Sequence, residues 1–322
     1  MIVTVTPNLA LDVTYHVDAL RPARMHRVRS VGRRAGGKGV NVARVLRRLG
    51  ADVLVVGPCG GPSGEAARAD LAACGLAERL VPVRGDTRRT LAVVDAAAGD
   101  ATLFNEPGPA VSPGEWQRLR AVYEESLPGA AAAVLAGSLP VGAPEDAYAV
   151  LAASAARHGV PAVVDADGPP LLAGLAGRPA LVKPNADELA RVSGRADPMA
   201  AAGWLRARGA QAVVCSLGAD GLLAVTAEGC WRAVPPRRLA GNPVGAGDAA
   251  VAALTYGMVR GQPWPERLRA AAALSAAAVL AAVAGEFDAV AYERFLPEVA
   301  VREVRRRPGH GAGRAESKGG RP

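Results

Sequence analysis

Six short apolar runs punctuate the chain, at residues 2–6, 53–56, 133–135, 162–164, 180–182 and 212–215. Each is almost continuously hydrophobic, as strands are when both of their faces are covered. Stretches with apolar residues at helical spacing lie between them. One carries Val42, Val45, Leu46 and Leu49 on a single face and stops at Gly50; another covers 145–158 and stops at Gly159; a third, 186–192, is closed by Gly194. Glycine just past a helix end supplies the left-handed residue that a C-cap needs. Strands and helices in this alternation bury all their apolar faces in a doubly wound α/β fold, with a mostly parallel sheet flanked by helices. Half of the 322 residues are hydrophobic and few are aromatic, which suits close-packed helices on such a sheet.

Two segments break the rhythm. Residues 13–31 and 83–104 alternate apolar and polar side chains, the second with a turn at Ala98-Gly99-Asp100. They are expected to form antiparallel strands outside the main sheet, a small β-sheet lid over a cleft. Residues 222–226 and 230–234, joined at Glu228-Gly229, read as a further hairpin.

The cysteines, Cys59, Cys74, Cys215 and Cys230, form no C-x-x-C pair and have no histidine at ligand spacing. Free thiols in a reducing cytoplasm are the expectation. The chain opens as a strand, without the basic and apolar regions of a signal peptide. Its longest apolar run, 270–285, is alanine-rich and shorter than the roughly 20 residues of a membrane span, so it is expected to be a buried helix. Net charge is +8. Part of it sits beyond residue 300, where Arg302, Arg305, Arg306, Arg307, Arg314, Lys318 and Arg321 lie among glycine and proline. That composition reads as a basic, disordered tail over 301–322, leaving 1–300 as one domain. No aromatic interleaving or groove-reading motif accompanies the charge, so nucleic acid is not an expected partner. A positive body suits phosphorylated ligands instead.

The chemistry concentrates at two glycine bends. Gly241-Asn242-Pro243-Val244-Gly245-Ala246-Gly247-Asp248 leads into an apolar helical run ending near Gly261 and Pro263. Glycines there let the backbone bend and let an anion approach, and a helix start offers free N–H groups and a positive dipole end. Asp248, in the first turn, is either a proton acceptor beside a bound phosphate or a simple helix cap. The second bend is Gly36-Gly37-Lys38-Gly39-Val40-Asn41. Gly32-x-x-x-x-Gly37-Lys38 nearly spells a P-loop, but Gly39 stands where a magnesium-binding hydroxyl belongs, which excludes one. What remains is backbone N–H, an ammonium and a carboxamide, suited to a polyol that carries a phosphate. Only Lys38, Lys183 and Lys318 are lysines among 38 basic residues. Outside the tail, the two that remain stand in Gly36-Gly37-Lys38-Gly39 and Lys183-Pro184-Asn185, sites suited to a compact point charge.

Together these two bends, about two hundred residues apart, resemble the two signatures of the PfkB (ribokinase-like) carbohydrate kinases. Thr6-Pro7-Asn8-Leu9-Ala10-Leu11-Asp12, Leu103-Phe104-Asn105-Glu106-Pro107-Gly108-Pro109, Gly137-Ser138-Leu139-Pro140 and Val182-Lys183-Pro184-Asn185 resemble the phosphosugar branch of that family. The resemblance extends to about residue 300. It implies a ribokinase-like fold and an ATP- and Mg2+-dependent kinase. Asp248 is then the base, with the amides of Gly245, Ala246 and Gly247 as the anion hole. It also implies that Asp12, Gly37 and Asn41 hold sugar hydroxyls, that Lys38 and Arg88 bind the phosphate already on the sugar, and that Ser138 belongs to the substrate site. Lys183, Asn185, Ser216, Gly218, Ala219 and Gly221 would serve ATP, and Glu188 the magnesium, indirectly. Read without the family, Asp12 is also compatible with a turn and Glu188 with a surface helix acid. The implied acceptor is a ketohexose monophosphate: fructose 1-phosphate first, tagatose 6-phosphate or fructose 6-phosphate as alternatives. The lid would also form a homodimer contact. Leu9 and Val244 depart from the branch's usual proline and threonine. A ribose or nucleoside kinase is disfavoured because a neutral acceptor has no charge for Lys38 and Arg88. A non-catalytic sugar-phosphate or nucleotide-binding regulator is disfavoured by the intact Asp248.

Overall fold

The computed structural model describes residues 1–239 and 241–304. In chain order the strands are β1 (Ile2–Val5), β2 (Ala10–Val17), β3 (Ser30–Gly36), β4 (Val53–Cys59), β5 (Ala77–Pro82), β6 (Arg88–Asp95) and β7 (Asp100–Asn105). They continue as β8 (Ala132–Ala136), β9 (Ala162–Asp165), β10 (Leu181–Val182), β11 (Val213–Ser216), β12 (Leu222–Val225), β13 (Cys230–Val234) and β14 (Ala300–Glu303). The main sheet has the order β14-β13-β12-β11-β10-β9-β8-β1-β4-β5. Its strands run parallel from β5 through to β11 and antiparallel from β11 out to β14.

Side chains of the parallel strands divide between two cores with a period of two. Val53 and Val55 face one core while Leu54 and Val56 face the other; Ala132, Val134 and Ala136 alternate in the same way with Ala133 and Leu135. Continuous apolar runs are therefore required, since neither face meets water. Helices Lys38–Arg48, Ala246–Val259 and Trp264–Val279 cover one face. Helices Pro113–Glu125, Ala147–Arg157, Ala186–Ser193 and Pro198–Arg206 cover the other. Alanine lets the Ala246–Val259 and Trp264–Val279 helices pack closely: Ala249, Ala253, Ala273 and Ala277 are all buried. Tyr123 is fully buried and donates its hydroxyl proton to the Leu151 carbonyl at 3.1 Å, so its polar end is satisfied.

A second sheet has the order β3-β2-β6-β7. It occupies the place expected of the lid segments, with one correction. β2 pairs with β3 and β6 pairs with β7 antiparallel, but β2 and β6 run parallel. Alternation of polarity reports a half-exposed strand and is blind to its direction. The run 270–285 is helical only to Val279; Leu280 caps the helix and the chain then turns, with Gly285 at φ +77°. The boundary at 300 also moves: β14, with Arg302 in it, pairs antiparallel with β13. Its charged residues disguise an edge strand as tail. Of the tail expected over 301–322, residues 305–322 lie outside the described residues. Among the described residues no helix is long and apolar enough to cross a membrane, and the cysteines are unpaired, with Cys74 exposed and Cys59, Cys215 and Cys230 buried.

Candidate active site

The carboxyl ends of β9, β10 and β11 open on a cavity of about 830 Å³, where ligands bind in open parallel sheets. The small sheet forms another wall through Asp12, Arg88, Thr90, Leu103 and Asn105. Both glycine bends reach this one cavity. Gly37, Lys38 and Asn41 arrive from the first, and Gly245, Ala246, Gly247 and Asp248 from the second.

Local conformation explains both bends. Gly37 has φ +98° at the N-cap of Lys38–Arg48, and a β-carbon on it would stand 2.7 Å from Thr6 Cγ2. Its neighbour Gly36 leaves room for Asp12, whose Cγ would lie 2.1 Å from a β-carbon there. Gly245 has φ +88° at the N-cap of Ala246–Val259, and a β-carbon would meet Ala284 Cα at 2.8 Å. A side chain at either position would be strained and would clash. The second helix thus starts at the cavity with its positive end, and Gly247 passes close to Lys183, whose Nζ would be 3.3 Å from a β-carbon there.

Asp248 is 7% exposed, and its Oδ2 accepts from Asn41 Nδ2 at 2.8 Å. Burial pushes its pKa up, the Asp165 charge adds to this, and Lys38, Asn41 and Lys183 oppose it; the result is about 7. A carboxylate tuned toward neutrality is suited to accept a proton at physiological pH. Lys38 Nζ lies 3.3 Å and Lys183 Nζ 3.7 Å from Asp165 Oδ1. The Asp165 carboxylate holds the Lys38 ammonium charged, well above its ordinary range, against the effect of burial. Lys38 therefore rests on an acid, whereas Arg88 hydrogen-bonds only to neutral oxygens, with the Asp12 and Glu106 carboxylates nearby. Arg88 Nε donates to the Asn8 carbonyl at 3.1 Å, and its Nη1 to Thr90 Oγ1 and the Glu106 carbonyl, each at 3.4 Å. Burial lowers the Arg88 pKa and raises that of Asp12 beside it.

On the far side, Asn185 caps Ala186–Ser193 in a capping box with Glu188. Asn185 Oδ1 accepts from the Glu188 N–H, and Glu188 Oε2 accepts from the Asn185 N–H, both at 2.8 Å. The Asn-x-x-Glu spacing thus has a local structural task as well, fixing both side chains at the cavity wall. Ser216, Gly218, Ala219 and Gly221 line the next stretch around a 3₁₀ turn at Gly218–Asp220.

One expected site residue does not reach this wall. Ser138 is exposed and accepts from Asn8 Nδ2 at 3.1 Å, which steadies the backbone on which Arg88 rests. Sequence reasoning missed Asp165, 1% exposed, which anchors both lysines and leaves its Oδ2 without a hydrogen-bond partner. Its signal was available, an acid ending a buried parallel strand. Thr90, Arg237 and Arg238 were missed as well. Among the described residues no group of three or more histidine, cysteine or acidic side chains forms a metal cage.

A helix start that attracts an anion, a near-neutral carboxylate beside it and hydroxyl-binding groups opposite are what transfer of a phosphoryl group to an alcohol requires. The class is that of the α/β phosphotransferases with an alcohol acceptor. Residues 5–288 match the pfkB family carbohydrate kinase profile, and the chain belongs to that family. It is 39% identical to a 1-phosphofructokinase of Xanthomonas campestris pv. campestris over 266 residues, 80% of this chain and 84% of the relative. It is 37% identical to a 1-phosphofructokinase of Rhodobacter capsulatus over 284 residues, 86% of this chain and 90% of the relative. Among solved structures, phosphofructokinase-2 from Escherichia coli superposes with a TM-score of 0.87 at 32% identity, covering 92% of this chain and 98% of that one.

Proposed function

We propose that the chain transfers the γ-phosphoryl group of ATP to the C6 hydroxyl of fructose 1-phosphate, forming fructose 1,6-bisphosphate. The observation that carries this reading is the single cavity in which Asp248, bonded to Asn41, shares walls with Asp12 and with the Arg88 guanidinium, whose hydrogen bonds go to neutral oxygens. The relatives named 1-phosphofructokinase favour this acceptor over its isomers. In this reading Asp12 and Asn41 orient the sugar hydroxyls, and Arg88, with Lys38 nearby, meets the phosphate the sugar already carries. Asp248 takes the proton as the hydroxyl attacks, while the start of the Ala246–Val259 helix faces the transferring group. The nucleotide lies along Ser216, Gly218, Ala219 and Gly221, with Lys183 and Asn185 near its phosphates.

Mg2+ fits these residues. Asp165 and Glu188 are the acids on the nucleotide side, Asp165 Oδ2 is unpartnered, and one or two carboxylates with substrate phosphates are a usual magnesium donor set. Bound there, the ion would neutralise phosphate charge. The small sheet, which supplies Arg88 and Asp12, closes over the sugar and excludes water. Val31 and Phe104 on it are 43% and 54% exposed and share the sheet face opposite to that of Leu103, apolar side chains that a second copy would cover in a lid-to-lid homodimer. Four unpaired thiols suit a reducing cytoplasm.

A coupled ADP-release assay tests the assignment, comparing kcat/KM for fructose 1-phosphate, tagatose 6-phosphate, fructose 6-phosphate and fructose. Fructose 1-phosphate is expected to exceed each of the others by about tenfold or more, the worth of one well-placed charged hydrogen bond. A higher value for either 6-phosphate would overturn the assignment.

A further inference from the structure

A second cavity, of about 700 Å³, lies between the helix Lys38–Arg48 and the turn at residues 284–286. Arg34, Arg44, Arg47 and Arg48 converge on it, and Glu286 is the acidic residue in its lining. Arg34 pairs with Glu286 at 3.1 Å and Arg44 with Asp70. Among the described residues, Arg47 and Arg48 have no carboxylate partner; Arg48 lies over the Phe287 ring at 4.6 Å. Basic residues in a last helical turn complement the helix dipole, which accounts for Arg47 and Arg48 as a pair. It does not account for Arg34 arriving from β3, nor for Arg44. The Arg44 side chain is 7% exposed and its Nε is buried without a hydrogen-bond partner. Four guanidiniums thus face two carboxylates, which leaves an excess of positive charge around the hollow, and planar N–H forks match phosphate oxygens.

This hollow is separated from the active site by two residues. Gly285 lines it, and a β-carbon on Gly285 would stand 3.0 Å from Arg44 Cδ and 3.2 Å from Asn41 Cα. Ala284, the preceding residue, lines the active-site cavity and abuts Gly245 in the anion hole. An anion that competes with Glu286 for Arg34 therefore acts on the segment packed against both Asn41 and Gly245.

We propose that this arginine-lined hollow is a regulatory site for the phosphate groups of a small phosphorylated metabolite, separate from the substrate cavity and coupled to it through Ala284 and Gly285. The inference stands whichever sugar is the acceptor. Cys74 provides a reporter, because it lines the hollow, accepts from Arg44 Nη1 at 2.8 Å and is the exposed cysteine, while Cys59, Cys215 and Cys230 are buried. Its alkylation by neutral iodoacetamide is followed by mass spectrometry while pyrophosphate is titrated. Saturating pyrophosphate is expected to slow Cys74 labelling at least about threefold, by occlusion. Protection should persist in Lys38→Ala and vanish in the double variant Arg47→Glu, Arg48→Glu. Both arginines are exposed, and retention of the wild-type Tm shows that the double variant folds. Absence of protection in the wild type, its survival in the double variant, or its loss in Lys38→Ala would each overturn the site. Coupling predicts that pyrophosphate changes kcat/KM for ATP more in the wild type than in the double variant; equal changes would overturn it.

Discussion

Replacing Asp248 by Asn is expected to disable the enzyme and stabilise the protein at the same time. In the folded state the Asp248 pKa stands at about 7 against an ordinary 3.8, chiefly because the carboxyl is buried and secondarily because Asp165 repels its charge. The sign follows from linkage. A carboxyl whose folded pKa is raised contributes stability that is fully present below pH 4 and is lost as pH rises through 7. At pH 8 the wild type therefore carries an electrostatic cost of about 4 kcal/mol that a neutral amide would not, falling to about 2 kcal/mol at pH 5. Asn keeps the shape and can still accept from Asn41. For a chain of this size each kcal/mol moves Tm by about 2 °C, so Asp248→Asn should melt several degrees above the wild type at pH 8, with a smaller gap at pH 5. In the same variant kcat should fall by roughly 10² to 10⁴, the usual worth of a positioned proton acceptor. Differential scanning calorimetry at the two pH values, beside a coupled ADP assay, measures both effects. A variant that melts below the wild type at pH 8 would refute the electrostatic reasoning, and an unchanged kcat would remove Asp248 from the chemistry.

Other consequences can be checked independently. In the wild type, log kcat/KM should fall with a slope near one as pH drops below about 7, as the free enzyme's base is protonated; a flat profile down to pH 5 would mean the base is another group. Arg88→Ala should cost about tenfold to a hundredfold in kcat/KM with fructose 1-phosphate and little with free fructose, and equal losses would show that Arg88 does not meet the sugar's phosphate. Asp165→Asn should lower Tm, because removing one partner of a buried ion pair costs about 3–5 kcal/mol and Lys183 beside it is 5% exposed; an unchanged Tm would mean the lysines have found other partners. Gly245→Ala should lower kcat and cost at least about 1 kcal/mol, given φ +88° and the Ala284 backbone 2.8 Å from the new methyl. Equal activity and Tm would show the turn to be plastic.

Much of this architecture is legible in the residues because parallel strands and their helices are patterned by burial. The runs around Val53, Val134 and Val163 are continuous because both sides of the sheet are covered, and the glycines at 50, 159 and 194 mark helix ends in the structure as in the sequence. The site is legible where conformation and chemistry demand one residue type, at Gly37, Gly245 and Asp248. It fades where a common residue acquires its role from distant neighbours. Asp165 is marked in the sequence as an acid ending a buried strand, but its role between Lys38 and Lys183, which follow different strands, depends on tertiary contacts. Ser138, implied for the substrate site by its Gly137-Ser138-Leu139-Pro140 motif, is not in the lining of this cavity and accepts a hydrogen bond from Asn8. Strand direction in the small sheet and the charged edge strand β14 depend on pairing partners, which local patterning does not encode.

The most direct test of the central claim is the identity of the product, read by ³¹P and ¹³C NMR after incubation of the full chain with ATP, Mg2+ and fructose 1-phosphate. The account predicts a new phosphate monoester on C6 beside the retained one on C1, appearing in step with ADP and absent with Asp248→Asn. ADP formed without a C6 ester, or equal C6 phosphorylation by the Asn variant, would contradict it.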